Sequence, residues 1–123
     1  MSKHLSLGKQ GELLGKKYLI NKGYIILVCN YKYEKYEIDI IALINDLLVF
    51  IEVKTRSTDL FGEPEDAVSK SKERHIAIAS EAFIYNNSKL HYTDIQFDII
   101  SIIISDSKKI IRHIEDAFFP RNF

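Results

Sequence analysis

The sequence predicts an α/β domain with a central mixed sheet of four or five strands, flanked by helices on both faces. The first observation is a hairpin-like stretch, residues 36–54, in which two apolar runs flank the dipeptide Asn45-Asp46. The second is helical periodicity before and after it, over residues 5–21 and 64–85. Both faces of the hairpin are apolar along most of its length, so both must be covered.

The first element is predicted to be a helix over residues 5–21. Its inward stripe is expected to comprise Leu5, Gly8, Glu12, Gly15 and Leu19. A glycine destabilises a helix by about 1 kcal/mol relative to alanine, so the two glycines of the stripe indicate close approach of another backbone. Glu12 lies between the two glycines of the stripe, where it either supplies a further carboxylate to the site described below or lies exposed to solvent at the edge of the stripe. Gly23 is expected to end the helix, and residues 24–31 to form a strand.

The register of the hairpin follows if the residues on either side of its turn pair with each other. That register places Asp39 opposite Glu52, and two positions further from the turn it places Glu37 opposite Lys54. Alternation of side chains puts these four residues on the same face. The opposite face is expected to be wholly apolar, with Ile38, Ile40, Ala42, Ile44, Leu47, Val49, Ile51 and Val53.

Two carboxylates directly opposite each other in a sheet repel unless a positive charge lies between them. Mg²⁺ or Mn²⁺ takes carboxylate and carbonyl oxygens together with water, so the pair Asp39 and Glu52 predicts a metal site. Lys54 points to the same side, where it could hold a metal-bound water or stabilise charge that develops during reaction. The alternative is a group of salt bridges at the end of a sheet, with Glu37 to Lys54 among them.

Beyond the hairpin the sequence predicts a loop, a helix and two strands. The polar loop that follows Lys54 leaves the charged end of the hairpin, where a loop is well placed to contact a substrate. Pro64 marks a helix start, and the helix is expected to run to about Tyr85. The β-branched residues 95–104 are predicted to form a strand, and residues 109–114 a further one.

Length and composition limit the class of protein. The 123 residues suffice for one domain, residues 1–123. The single cysteine, Cys29, excludes a disulfide framework and indicates a cytoplasmic protein. The apolar runs are too short and too interrupted to span a bilayer, so no membrane association is expected. The four histidines have no ligand spacing, which argues against zinc.

The charge is balanced overall but not along the chain. There are 17 basic and 17 acidic residues, yet the first 36 residues hold seven lysines and only two glutamates. A basic segment beside an acidic site suits a polyanion that must approach a metal. We therefore expect Lys9, Lys16, Arg56 and Lys72 to contact nucleic acid. The alternative is that the lysines form solvated helix faces.

Six motifs, in chain order and across nearly the whole chain, resemble the YraN-like family of uncharacterised bacterial proteins. They are GKQGELLGKKYLINKGY, EIDIIA, LLVFIEVKTR, FGEPEDAV, FDIISI and HIEDAF. That family is similar to the Holliday junction resolvases and belongs with the restriction-endonuclease-like PD-(D/E)XK nucleases. The resemblance implies a restriction-endonuclease-like fold and metal-dependent hydrolysis of DNA, in branched or recombination intermediates, with a homodimer as a plausible assembly.

The resemblance also assigns roles to individual residues. It implies Asp39, Glu52 and the carbonyl of Val53 as ligands of Mg²⁺ or Mn²⁺, Lys54 as the catalytic lysine, Glu12 as the acid of the first helix, Glu37 as the acid of the Gly-Glu-Ile-Asp motif and Lys72 as the downstream helix lysine. Tyr36 stands where the motif has glycine, and its ring could narrow access or stack on a base. The alternatives are nucleic-acid binding or assembly without turnover, and a purely structural partner module.

Overall fold

The computed structural model describes residues 5–57, 68–120 and 123. The elements within them are α1 (Leu7–Asn21), β1 (Ile25–Tyr33), β2 (Tyr36–Ile44), β3 (Leu47–Arg56), α2 (Lys70–Asn86), β4 (Asp94–Ile104) and β5 (Lys109–Phe118). The five strands form one sheet in the order β1-β2-β3-β4-β5. All neighbours are antiparallel except β3 and β4, which are parallel and are connected through α2. The predicted mixed sheet is confirmed.

The two helices cover opposite faces of the sheet. On one face Phe83 of α2 packs in a cluster with Phe50 and Phe97 from the sheet. On the other face Leu19 of α1 packs in a cluster with Ile51 and its sheet neighbours. A sheet that is apolar on both sides is thereby buried on both sides, as expected for a single α/β domain. No helix of the described residues is both long and apolar enough to cross a membrane.

The β2–β3 hairpin has the predicted register close to its turn. Ile44 pairs with Leu47, and the ladder continues to Ile40 and Ile51. Asn45 has a φ of 52°, the left-handed conformation that a tight hairpin turn requires and that asparagine tolerates. The short turn therefore fixes the ladder over these five pairs.

Beyond this ladder β2 and β3 are no longer paired with each other. β2 stays paired with β1, which puts Glu37 opposite Lys32. β3 stays paired with β4, which puts Lys54 opposite Ser101. The predicted pairing of Glu37 with Lys54 is wrong, because each strand follows its outer neighbour once the hairpin ladder ends.

The predicted alternation of faces fails at one position, Ile38. This side chain packs in the cluster beneath α2, whereas Ile40 packs beneath α1. Tyr31, the β1 partner of Ile38, packs against the same cluster. The preceding residue of β1, Asn30, has a φ of 54°, and a left-handed residue within a strand interrupts its regular pleat. Asp39 is the first residue of β2 beyond the regular ladder, counted from the turn. The regular geometry of the hairpin therefore ends where its charged residues lie.

Of the glycines of α1, Gly11 lies closest to the sheet. A Cβ added to Gly11 would overlap Oγ1 of Thr55 in β3 and lie 2.7 Å from its Cβ. Gly8 is exposed and has nothing within 4 Å of such a Cβ, while Gly15 makes ordinary contacts. The close backbone approach predicted at Gly8 and Gly15 is therefore wrong, and the buried stripe consists of Gly11, Gly15 and Leu19.

The ends of both helices have recognisable caps. The Ser6 hydroxyl accepts a hydrogen bond from the backbone N–H of Lys9 and begins α1. Gly23, with a φ of 98°, follows the last turn as predicted. Ser69 caps α2 in the same way as Ser6 caps α1. The predicted helix start at Pro64 lies outside the described residues.

Candidate active site

Asp39 lies in the gap that opens between β2 and β3. Its Oδ2 accepts a hydrogen bond of 2.7 Å from the backbone N–H of Val53. In a continued ladder a carbonyl of β2 would accept from that edge of β3, so the carboxylate supplies the missing acceptor. Because the N–H and C=O of one strand residue point to the same edge, the carbonyl of Val53 is directed into the same gap.

The carboxylate of Asp39 adjoins that of Glu52 although the two residues are not a ladder pair. Burial raises the pKa of Asp39 from 3.8 to about 7, and the negative charge of Glu52 acts in the same direction. The N–H of Val53 favours the anion and lowers the pKa in part, whereas a hydrogen bond shared with Glu52 requires a proton and raises it. The gap therefore brings together two carboxyl groups whose simultaneous ionisation is energetically unfavourable.

Glu12 reaches the same region from α1. Its charge contributes to the raised pKa of Asp39, and its side chain is 27% exposed. Lys9, one turn earlier in the helix, has its Nζ 4.0 Å from Oε1 of Glu12. Glu12 is therefore partly exposed and close enough to Asp39 to influence its pKa, while its predicted role as a further carboxylate of a metal site stays a prediction.

Lys72 reaches the site from the opposite face of the sheet. Its Nζ lies 3.2 Å from Oε2 of Glu52, and the side chains are 42% and 12% exposed respectively. The sequence did not predict this ion pair, and the phosphate contact that it predicted for Lys72 stays a prediction. α1 and α2 thus each contribute a charged side chain to the same end of the hairpin.

The remaining charged residues of the motif surround this pair. Lys54 is exposed and, two residues beyond Glu52 on β3, points to the same side of the sheet. Glu37 and Arg56 are half-buried, the latter at the last position of β3. No ion pair among the described residues joins Glu37 to Lys54. The predicted salt bridge at the end of the sheet therefore does not account for Lys54.

The two lysines predicted to contact nucleic acid from α1 are both exposed. Lys9 and Lys16 are seven residues apart, so they lie on the same face of the helix, two turns from each other. Lys9 also contacts Glu12, which links this basic face to the acidic site.

Tyr36 packs within the protein. Its ring stacks on His75 of α2, with centroids 4.6 Å apart and an angle of 29° between the planes. The Nζ of Lys35 lies 5.6 Å from the centroid of the same ring. The sequence did not indicate a role for His75, because no local pattern predicts its contact with Tyr36, which is far away in the chain. The tyrosine that replaces the motif's glycine helps hold α2 near the site.

The donors at the gap are two carboxylates and one main-chain carbonyl. In the part of the chain that the structure describes, no three His, Cys, Asp or Glu side chains converge closely enough to hold a metal ion. Mg²⁺ and Mn²⁺ prefer oxygen ligands, and Mg²⁺ keeps several waters while it binds one or two carboxylates. Asp39, Glu52 and the Val53 carbonyl therefore fit a hard divalent cation whose other ligands are water or substrate.

A second buried polar cluster lies away from this site, and no pattern in the sequence indicated it. Nε2 of His113 lies 2.6 Å from Oδ2 of Asp98, which is fully buried. The other ring nitrogen of His113 is 3.0 Å from the hydroxyl of Tyr18 in α1. Oδ1 of Asp98 accepts from the side chain of Gln96 and the backbone of Asp116. Both carboxylate oxygens of Asp98 and both ring nitrogens of His113 thus have hydrogen-bond partners. The cluster joins β5 to β4 and α1.

Fold and site together define a small α/β domain whose mixed five-stranded sheet carries a carboxylate pair where its central hairpin opens. The chain belongs to the family described as Uncharacterised protein family UPF0102, whose model matches residues 11–102. The resemblance to YraN-like proteins is thereby confirmed. Of the predicted site residues, only Lys9 lies outside the matched segment.

The family is represented by relatives of nearly equal length. A UPF0102 protein from Alkaliphilus oremlandii is 44% identical over 114 residues, which are 91% of this chain and 97% of that protein. One from Parabacteroides distasonis is 41% identical over 120 residues, 97% of each chain. One from Bacteroides thetaiotaomicron is 39% identical over 125 residues and spans both chains fully. The similarity therefore extends over the whole domain.

Proposed function

We propose that this protein is a metal-dependent endonuclease that hydrolyses phosphodiester bonds in nucleic acid, with DNA preferred over RNA as the substrate. One observation carries the proposal: the half-buried carboxylate of Asp39 adjoins Glu52 and is fixed by the N–H of Val53 in a gap between two strands. The expected ligands of Mg²⁺ or Mn²⁺ are Asp39, Glu52 and the carbonyl of Val53. Branched or recombination intermediates are the substrates that the nuclease resemblance implies.

The arrangement is unfavourable for stability in the absence of a cation. Burial and the charge of Glu52 both disfavour the anion of Asp39, yet the strands open to accommodate it. Local arrangements that reduce stability without compensation are expected at functional sites. A divalent cation between the two acids would neutralise both charges, which supports a metal rather than a structural role.

The bound cation would polarise the scissile phosphate and supply an activated water. The protein's own groups would act around it. Lys54, exposed on the same side as Glu52, would orient the water or stabilise charge that develops on the phosphate. Lys9 and Lys16 would hold the nucleic-acid backbone along α1, with Arg56 at the end of β3. Glu12 and Glu37 would orient these groups from the edges of the site.

Two further proposals concern the setting. The single cysteine, Cys29, is free and exposed, which suits a reducing compartment, and we infer a cytoplasmic location. A homodimer would allow two cuts in a branched substrate. Neither membrane nor small-molecule partners are part of the proposal.

The second candidate function is a nucleic-acid-binding or assembly protein that has this fold without turnover. One observation favours it: Lys72 already neutralises Glu52 at 3.2 Å, so that acid has a partner without a metal. The two functions share the nucleic-acid surface and differ in whether a divalent cation binds and whether bonds are cleaved.

The test uses wild type, Asp39→Asn and the control Asp46→Asn, which changes an exposed acid at the turn of the hairpin, remote from the site. We expect Mn²⁺ to raise the Tm of wild type and of the control but not of Asp39→Asn, because a ligand stabilises the folded state that binds it. Cleavage should likewise be present in wild type and the control and absent in Asp39→Asn. The substrates offered are a four-way junction, a flap, duplex DNA, single-stranded DNA and RNA. Equal metal responses in all three proteins would overturn the site. Metal binding without cleavage of any substrate would favour the binding protein.

A further inference from the structure

The backbone of Lys72 is positioned so that its side chain neutralises Glu52. Its backbone N–H donates to the hydroxyl of Ser69, the cap of α2, at 3.1 Å. From this first turn its side chain crosses to β3, where Nζ lies 3.2 Å from Oε2 of Glu52. Because Glu52 is only 12% exposed, an unpaired charge there would be unfavourable. The ammonium of Lys72 therefore stabilises the carboxylate of Glu52, as the N–H of Val53 stabilises that of Asp39.

A divalent cation at the pair would compete with this ammonium. The metal would bind oxygens of the carboxylate that Lys72 already contacts, and two positive centres so close repel each other. Lys72 can leave, since its side chain is 42% exposed and a lysine is a compact charge on a flexible stem. Glu52 cannot follow it, because it lies within a strand paired to β4. The mobile member of the ion pair is the lysine.

We propose that Lys72 is the resident counter-cation of Glu52 in the metal-free protein, and that a divalent cation displaces it. The released ammonium, still at the edge of the site, then binds a phosphate of the nucleic acid. This inference rests on the proposed function and adds a regulatory property to it. Lys72 lowers the affinity for the metal, and the bound metal raises the affinity for nucleic acid.

The first experiment measures the dissociation constant of Mn²⁺ by calorimetry without nucleic acid. Lys72→Met removes the ammonium and keeps an apolar stem, Lys72→Gln keeps a hydrogen-bond donor in case the methionine variant folds poorly, and Lys70→Met is the control in the same helical turn. We expect both Lys72 variants to bind Mn²⁺ about tenfold more tightly than wild type, because a competing charge is gone. The control should change by less than about twofold.

The second experiment needs no variant. Limited acetylation of wild type, quantified by mass spectrometry for each lysine, reports how free each ammonium is. Saturating Mn²⁺ should increase the modification rate of Lys72 severalfold and leave that of Lys70 unchanged. A Lys72 rate that does not change with metal would overturn the displacement.

The third experiment follows the released ammonium to nucleic acid. Ca²⁺, another divalent ion that takes oxygen ligands, replaces Mn²⁺ as the probe, and the affinity for a short DNA is measured against salt. Each phosphate contact contributes about one unit to the log–log slope. We expect Ca²⁺ to steepen the slope of wild type by about one unit and that of Lys72→Gln not at all. Equal changes in both proteins would overturn the phosphate contact.

Failure of this inference can be told apart from failure of the proposed function. If wild type binds Mn²⁺ in a manner that Asp39→Asn abolishes, the metal site stands. An unchanged or weaker affinity in both Lys72 variants then overturns the counter-cation alone. If wild type binds no divalent cation, the metal site and the counter-cation fall together.

Discussion

The carboxylate of Asp39 accepts the backbone N–H of Val53 at 2.7 Å, in a place where two neighbouring strands would otherwise bond to each other. This contact shows how a half-buried acid is accommodated within an otherwise apolar sheet. The hairpin ladder ends at Ile40 and Ile51, and the side chain fills the space between the separating strands. The site is thus an opening in the sheet that a carboxylate occupies, and its burial, charge and neighbours lead to four predictions.

The first prediction concerns the pH dependence of stability in the absence of metal. The pKa of Asp39 is raised in the folded state to about 7 from its ordinary 3.8, so between these values the folded protein holds a proton that the unfolded chain has released. The contribution of this group is fully present below about pH 4 and is lost as the pH rises through about 7. We expect wild type to lose roughly 2 to 4 kcal/mol relative to Asp39→Asn over that interval.

Urea unfolding in EDTA at several pH values provides the measurement. The free energy of unfolding of Asp39→Asn is subtracted from that of wild type at each pH. This removes the pH-dependent contributions of the histidines and the other acids, which both proteins share. As a control, the free energy of unfolding of Asp46→Asn is subtracted from that of wild type. This difference should change little with pH. A wild-type minus Asp39→Asn difference that stays constant from pH 4 to pH 8 would contradict the raised pKa of Asp39.

The second prediction uses two glycines of α1: Gly8, which the sequence placed on the inward stripe, and Gly11, which it did not. Gly11→Ala should destabilise the protein by about 2 kcal/mol, because the added Cβ overlaps the side chain of Thr55 in β3. Gly8→Ala should be neutral or stabilising by up to about 1 kcal/mol, since that position is open and alanine favours helix. Thr55→Gly combined with Gly11→Ala should recover part of the loss. Thermal unfolding of the four proteins measures this, and equal effects at both glycines would contradict the close approach.

The third prediction separates catalysis from binding through Lys54. Lys54→Ala should lower cleavage in Mn²⁺ by about 10² to 10³, the range found when one electrostatic contact to the transition state is removed. Metal affinity and DNA affinity should change little, because the contact is made mainly in the transition state. The control is Lys89→Ala, an exposed lysine in the turn between α2 and β4. Cleavage by Lys54→Ala at the wild-type rate would assign the activity to another site or to a contaminant.

The fourth prediction concerns the basic face of α1. Replacing both Lys9 and Lys16 by glutamine should reduce the slope of log affinity against log salt by up to about two units, one for each phosphate contact. Lys89→Gln should leave the slope unchanged. Fluorescence anisotropy with a labelled DNA at several salt concentrations measures the slopes. DNA affinity that is insensitive to salt in wild type would rule out this surface.

The sequence predicted the local parts of this protein well because local physics determines them. Asn45 forces a tight turn, the turn fixes the pairing of Ile44 with Leu47, and alternation then assigns most side chains to their faces. Gly23 ends α1 for an equally local reason, since glycine readily adopts positive φ. Asp39 and Glu52 could be singled out because charges in an apolar hairpin are costly.

What the sequence by itself determined is therefore the α/β class, the hairpin and the presence of an acidic pair within it. Only the tertiary structure decided that β2 and β3 separate beyond Ile40 and Ile51, because that depends on how each strand follows its outer neighbour. It likewise decided that Lys72 contacts Glu52 and that Gly11 approaches β3. These contacts join residues far apart in the chain, and short-range patterns of hydrophobicity and charge carry no information on which distant side chains will meet.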